Sequence, residues 1–524
     1  MKKIYAAVIL FFCINIVSAQ ITFQKTFGGS NPDYSFAVEQ TFDGGYIIGG
    51  MTKSFGYGDF DMYLIKTNSA GDTLWTRSYG KATDDRIKSV HQTTDSGYIF
   101  TGFINYDTYL VKTNSQGTIE WIRNFGYGSG GGSGGNCIHQ TADSGYIVTG
   151  SSTQIGAGNY DVYLVKTNSL GDTLWTKSYG DTGGEQATSV MQTSDHGYLI
   201  SGSSWTFIGC TGSCPYDAYM IKTDSIGDTL WTRYYGYSGI NKNDSGFDAI
   251  ETNDGGYALL GSSDSLHTFL LKTDAAGYPL WCKSYTGYIQ NVPVNPTYSV
   301  NQTADGGYFI TSQISVSNYN ISLIKTDSSG NVQWSKLLYG GTGIGMYGHP
   351  AADGGYIVAS TINGIGAGGY DIILIKTDSL GNSGCNDTTI TISENNVVMP
   401  LANHITIVSS PGIVNTPPEY YIGSGSIINT LCTTVSVFNI QHQNQISISP
   451  NPFTDEITVS IGQLAYKAEI KIYDVYGRIV YEQTFPIRSA DGLEKLNLAH
   501  LKQGIYFVEV MTEEGMVVRK IVKQ

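Results

Sequence analysis

The sequence predicts an all-β protein, a seven-bladed β-propeller of four-stranded blades followed by a small Ig-like β-sandwich. Three observations lead there. A ten-residue phrase, TFDGGYIIGG at 41–50 and TADSGYIVTG at 141–150, recurs around Asp43, Asp95, Asp143, Asp195, Asp254, Asp305 and Asp353. Each copy is followed by a second phrase of the form D-x-Y-L-I-K-T-[ND]-S-x-G-D-T-L-W, clearest at 61–75, 161–175 and 217–231. The copies are spaced by 52, 48, 52, 59, 51 and 48 residues, a period that accommodates four short strands and their turns.

At 524 residues the chain exceeds one ordinary core, which calls for several domains or one large closed repeat array. Residues 1–19 read as a secretory signal peptide: Lys2 and Lys3, the apolar run AAVILFFCINIV, then Ser18 and Ala19 ahead of Gln20. That run is short for a membrane span and no other long apolar stretch follows, so a mature chain without a transmembrane segment is expected. Loss of the two lysines takes the net charge from −14 to −16, which argues against nucleic acid as a partner.

The repeat occupies residues 20–385. In its fourth period the strands ATSVMQT (187–193), GYLISGS (197–203), DAYMIKT (217–223) and DTLWTRYYG (228–236) alternate with turn residues. The turns are T-x-D-G-G and [ND]-S-x-G, where Gly supplies positive φ and Asp or Asn tolerates it. Apolar runs such as YLIK and YIIG suit strands covered on both faces. The two ends of the repeat are complementary. ITFQKTFGG places Phe23 in the Trp slot of a fourth strand, and the seventh period stops after the third strand DIILIK. Residues 22–28 are therefore expected to complete the blade containing 371–377, whereas an open solenoid would need caps instead.

On these residues, roughly 21–384 resembles the secreted, Gly- and Tyr-rich propeller-like proteins of Bacteroidetes-type bacteria. The resemblance implies a fold and a cell-surface setting, with no defined activity. The turn KTDSxGDTLW is also similar to the Asp-box of sialidase-type propellers, a structural turn remote from catalysis.

Residues 386–444, with stretches such as TTITISENNVVMP and HITIVSSPGIV, read as a β-rich connector. Residues 445–524 alternate apolar positions (Ile470, Ile472; Ile479, Tyr481; Tyr506, Val508, Val510) between turns at Gly477, Gly504 and Gly515, which suits a small sandwich. Within them, PNPF at 450–453, YDVYGRIV at 473–480, LKQGIYFV at 501–508 and the terminal VRKIVKQ together resemble the type A C-terminal sorting domain of the type IX secretion system. The motif positions are Pro450, Asn451, Pro452, Tyr473, Gly477, Gly504, Tyr506 and Lys520. The resemblance implies that the outer-membrane secretion machinery is a partner of 445–524. It also implies a secreted or cell-surface product of a Gram-negative bacterium, attached to surface lipopolysaccharide or released.

Cys13 leaves with the signal, and six cysteines remain for an oxidising compartment. Cys210 with Cys214, and Cys385 with Cys432, are the expected pairs, each closing a loop between otherwise unpaired segments. Zinc is disfavoured because C-x3-C here has neither a second pair nor a histidine nearby.

Catalytic signatures are sparse. The eight histidines are scattered, no H-E-x-x-H, G-x-S-x-G or P-loop occurs, and His91 and His139 share one repeat position, which favours a structural role. Asp33, Asp85, Glu185 and Asp244 lie at equivalent points ahead of the repeat phrase. A ring of such carboxylates would suit calcium, which takes oxygen ligands. Capping of inter-blade loops is the favoured reading, so no cofactor is expected. The long connections KATDDR (81–86), SWTFIGCTGSC (204–214) and GYSGINKND (236–244) gather on one face, where binding usually resides. Ligand-contact candidates on them are Asp85, Arg86, Trp205, Phe207 and Lys242; Trp205 is the one Trp outside the repeated slot.

The expected protein is a monomeric, exported binding or interaction protein with no catalysis of its own, recognising a glycan, another extracellular polymer or a protein. The alternatives are a polysaccharide hydrolase or lyase on the same scaffold, and a structural adhesion component. Convergent carboxylates in a deep pocket would favour the enzyme, and exposed aromatics would favour binding.

Overall fold

The computed structural model describes residues 20–524 apart from 105–106, 126–133, 154–155, 158, 206–215, 237–242, 264–266, 287–298, 317, 339–346, 404–406, 410–420, 424, 426, 437–445, 462–466, 475–477, 487–492 and 513–514. The described residues are all-β, without a helix, and fall into two compact units, 20–434 and 435–524.

Among the described residues the first unit holds seven antiparallel sheets, each built on four strands in simple up-and-down order. Sheet 1 is Asp33–Gln40, Tyr46–Thr52, Asp61–Thr67 and Thr73–Gly80. Sheet 4 is Gly184–Gln192, Tyr198–Trp205, Asp217–Thr223 and Thr229–Tyr235. The seventh takes its fourth strand from the other end of the unit: Gln20–Gly28 pairs with Tyr370–Thr377, Phe23 opposite Lys376 and Phe27 opposite Ile372. Strands one and two meet at a turn in which Asp43 Oδ1 accepts from Thr41 Oγ1 and the Gly45 amide. Strands three and four meet where Asn68 Oδ1 accepts the amides of Ala70 and Asp72, with Gly71 at φ 78°. Both turns are local side-chain-to-backbone devices, which is why they are visible in the sequence.

Second and third strands such as YIIGGMT and DMYLIKT are buried at every position because sheets cover them on both sides. One apolar cluster joins Met62, Leu64 and Tyr79 of sheet 1 to Ile87, Tyr98 and Phe100 of the next. The first strands of successive sheets touch in an unbroken cycle, the seventh returning to the first. Aromatic pairs follow the same cycle: Trp75 to Tyr98, Trp121 to Tyr146, Trp175 to Tyr198, Trp231 to Tyr257, Trp281 to Tyr308 and Trp334 to Tyr356. Phe23, in the Trp slot, meets Tyr46. A polar clasp runs alongside. Gln92 Oε1 accepts the Phe42 amide, Gln140 that of Thr94, Gln192 that of Ala142, Gln302 that of Asn253, and Gln40 that of Ala352.

The segment after Cys385 does more than connect. Among the described residues its strands add a fifth member to the outer edge of six of the seven sheets, in reverse order. Asp387–Thr389 joins sheet 6, Ser393–Asn396 sheet 5, Leu401–Asn403 sheet 4, Ile407–Ser409 sheet 3, Tyr421–Gly423 sheet 1 and Ile427–Ser436 sheet 7. The three described pairings with sheets 4, 5 and 6 each place one residue opposite Lys336, Lys283 or Arg233 of the fourth strand. Fourth strands otherwise present a row of unpaired backbone groups, and this belt supplies their partners. Cys385 and Cys432, at its two ends, are bonded.

The second unit has two antiparallel sheets, one of three strands and one of four. They share a core that includes Phe453, Ile457, Ile472, Leu496, Val508 and Ile521. The PNPF motif is fastened to the last strand: Asn451 donates to the Lys520 carbonyl and accepts the Val522 amide, and Phe453 exchanges backbone bonds with Val522 and Gln524. Tyr506 donates to the Lys502 carbonyl. Gly477 lies outside the described residues.

Candidate functional site

The most repeated polar feature is an ion pair between each turn aspartate and the third-strand lysine. Lys66 meets Asp43, Lys112 Asp95, Lys166 Asp143, Lys222 Asp195, Lys272 Asp254, Lys325 Asp305 and Lys376 Asp353, at 2.8–2.9 Å. The lysines are buried and each also donates to the next carbonyl, as Lys66 does to Thr67. A buried ammonium needs such partners. The sequence reading credited these aspartates with backbone amides alone; the lysine, 20 or so residues on, is the part that folding adds.

Asp33, Asp85, Glu185 and Asp244 open the first strands of sheets 1, 2, 4 and 5 and are buried, none above 1% exposed. Three of them bond to loops. Asp33 Oδ2 accepts from the Gly29 amide and Ser54 Oγ, Asp85 from the Lys81 amide and Thr83 Oγ1, and Glu185 from the Asp181 amide and Ser204 Oγ. Across a glycine from each stands a second carboxylate: Asp371 beside Gly28, Asp61 beside Gly80, Asp161 beside Gly180 and Asp217 beside Gly236. A side chain at those glycines would collide with these oxygens. Burial, reinforced by the neighbouring carboxylates, pushes Asp85 and Asp217 up to about 6 and Glu185 up to about 8. These four carboxylates are therefore buried rather than set around an open mouth. Among the described residues no group of three or more His, Cys, Asp or Glu is arranged to hold a metal.

Of the ligand-contact candidates, Asp85 is withdrawn by this burial, because a ligand cannot reach it. Arg86 pairs with Asp84 at 3.1 Å and lies over the Phe103 ring. Phe207 and Lys242, and the expected Cys210 to Cys214 pair, lie outside the described residues. Trp205 ends the second strand of sheet 4, half-buried, packed edge-on between Tyr160 at 5.9 Å and Tyr216 at 5.2 Å. It also covers Gly184, where any side chain would strike the indole. Tyr216 is 38% exposed. Tyr160 and Tyr216 were not singled out from sequence, although both immediately precede a third-strand Asp, as Phe60 does in sheet 1. Phe60 belongs to a second aromatic group with Tyr34 and Tyr370 on the same side.

The first strands enclose a cavity of about 140 Å³ whose wall includes Lys88, His91, Cys137, His139, Asp248 and His349. His91 Nδ1 lies 3.3 Å from Glu39 Oε2, its ring is 4.2 Å from that of His139, and His349 Nδ1 lies 2.9 Å from Asn301 Oδ1. Burial drives His139 well below the usual imidazole range and His349 down to about 4, so both are neutral at pH 7. Asp248, held by Ser189 Oγ and the Val300 amide, is pushed up to about 6 by burial.

Residues 447–524 match the family model described as the Secretion system C-terminal sorting domain. None of the curated proteins matches the chain. Among solved structures, a protein of unknown function from Dyadobacter fermentans is similar, with a TM-score of 0.41 and 11% identity over 68% of this chain and 99% of that one. Sqt1 from Chaetomium thermophilum gives a TM-score of 0.40 and 11% identity over 71% of this chain and 90% of its own. A GH43_12 protein retrieved from a capybara gut metagenome gives 0.24 and 11% over 96% and 89%. The C-terminal unit is a type IX sorting domain, and it directs the chain to the secretion machinery and to a secreted or outer-membrane surface location.

Proposed function

We propose that this exported chain is a seven-bladed β-propeller whose long-loop face recognises an extracellular polymer, most specifically a glycan, with the Ig-like C-terminal domain serving export. The cycle of first-strand contacts and the borrowed strand Gln20–Gly28 support the propeller. The observation that carries the binding reading is the Tyr160, Trp205 and Tyr216 group: three aromatic rings set edge to edge, partly exposed, on the ends of regular strands. Aromatic faces stack on the apolar faces of sugars at small conformational cost. The close carboxylate pairs are buried and bonded to backbone amides, which favours recognition over hydrolysis. The test is binding of the full chain to an array of polysaccharides and extracellular polymers, with and without calcium. Binding that Trp205→Ala loses supports the reading. An array in which Trp205→Ala weakens no ligand, or no binding across the array, overturns it, and turnover of a bound polymer would install the hydrolase or lyase alternative.

A further inference from the structure

At the opposite end of the same strand from Trp205, where the tight turns of sheets 3 and 4 meet, lies an open pocket of about 420 Å³. Its wall includes Asp143, Lys166, Leu174, Trp175, His196 and Tyr198. Strand Tyr198–Trp205 separates it from the long-loop face by roughly 23 Å, at the usual rise per residue.

The pocket combines an apolar wall with fixed polar groups. Trp175 stands edge-on to the buried Tyr198, ring centroids 5.7 Å apart, and Leu174 is 56% exposed. Asp143 is clamped by Thr141 Oγ1, the Gly145 amide and Lys166 Nζ. Three of those bonds fall on Oδ1 and one on Oδ2, which leaves Oδ2 with acceptor capacity on a half-exposed side chain. The exposed Ser225 hydroxyl sits on the rim.

His196 marks this junction out from the other six. It takes φ 65°, where four of the equivalent turns carry Gly44, Gly255, Gly306 and Gly354 and two carry Ser96 and Ser144. The turn does not need an imidazole: His196 donates its amide to the Thr193 carbonyl at 2.9 Å, just as Gly44 donates to Thr41 at 2.8 Å. A side chain in the left-handed region costs roughly 1 kcal/mol. Here that cost places an exposed ring carrying both a donor and an acceptor beside Trp175 and Asp143.

We infer that this pocket is a saccharide subsite for a neutral pyranose, with Trp175 and Leu174 against its apolar face and Asp143, His196 and Ser225 bonding its hydroxyls. The ion pair between Asp143 and Lys166 leaves the pocket without net charge, which suits a neutral ring. The subsite does not depend on the long-loop reading. The test is saturation-transfer NMR on the full chain with glucose, galactose, mannose and N-acetylglucosamine. At least one is expected to bind. His196→Gly, which relieves the turn, is expected to keep the melting temperature or raise it while weakening that binding at least tenfold. His196→Ser, a residue the other copies use, should behave alike, and Leu230→Ala, an exposed leucine outside the pocket, should bind as the unaltered chain does. No transfer to any of the four sugars, unchanged binding in both His196 variants, or loss in Leu230→Ala overturns the assignment.

Discussion

Cys385 and Cys432 are bonded, Cα atoms 6.2 Å apart and 47 positions apart in sequence, and the segment between them visits the outer edges of sheets 6, 5, 4, 3 and 1 before reaching sheet 7. The bond thus turns a string of three- and four-residue strands into a closed hoop. No such strand would hold its edge alone, because each contributes only a few backbone bonds.

Opening the hoop should be costly. Loop-closure entropy for 47 residues is about 4 kcal/mol at 25 °C. The double variant Cys385→Ser, Cys432→Ser is expected to melt several degrees lower, with amide exchange accelerated first in Asp387–Thr389 and Ser393–Asn396. Equal melting temperatures for variant and parent would show that edge pairing alone fastens the belt.

Two sets of carboxylates set opposite limits on stability with pH. Against the upward push of burial, the lysine and threonine hydrogen bonds hold Asp143, Asp195, Asp254 and Asp305 down at about 2. That contribution is present above the unfolded carboxylate value near 4 and is lost as pH falls from there through 2. Asp85, Asp217 and Glu185 are raised, so their contribution is present below the unfolded value and is lost as pH rises through 6 and then 8. Melting temperature is therefore expected to peak near pH 4, about where both losses begin. Glu185→Gln should raise it at pH 9 and leave it unchanged at pH 4; a gain of the same size at both would refute the assignment.

Glycines of similar φ should differ in their tolerance. Gly171 (φ 78°) lies against Trp121, so that a methyl group would sit 2.6 Å from the indole, whereas Gly255 (φ 79°) has nothing within 4 Å. Gly255→Ala should cost about 1 kcal/mol from the backbone alone. Gly171→Ala should cost roughly 2–4 kcal/mol, because overpacking adds to the same strain. Chemical denaturation of the two variants measures the difference.

Several features were legible because their causes are local. The turns around Asp43 and Gly71 are built from residues within five positions of each other, and the seven copies announce themselves by repetition. Phe23 in a Trp slot was enough to foresee its strand beside Tyr370–Thr377, since each end lacked what the other had. The sorting domain was legible from four motifs in order. Other features were not. The segment 386–444 reads as a connector because its weak alternation names no partner; its strands are specified by the edges they cover. Loop capping was the favoured reading of Asp33, Asp85, Glu185 and Asp244, and the first three do accept loop amides; the second carboxylate across a glycine from each was not foreseen. Tyr160 and Tyr216 gain their interest from Trp205, which lies more than ten residues away from each in sequence.

What the sequence determined by itself is everything that follows from periodicity and short-range chemistry: an all-β chain, its four-strand period, its tight turns and its export tail. Tertiary structure decided which groups are buried, paired or exposed. The belt, the lysine latches, the buried carboxylate pairs and the pocket at Trp175 and His196 all join residues distant in sequence. Burial and long-range pairing are properties of the assembled sheets, and no stretch of the chain encodes them alone.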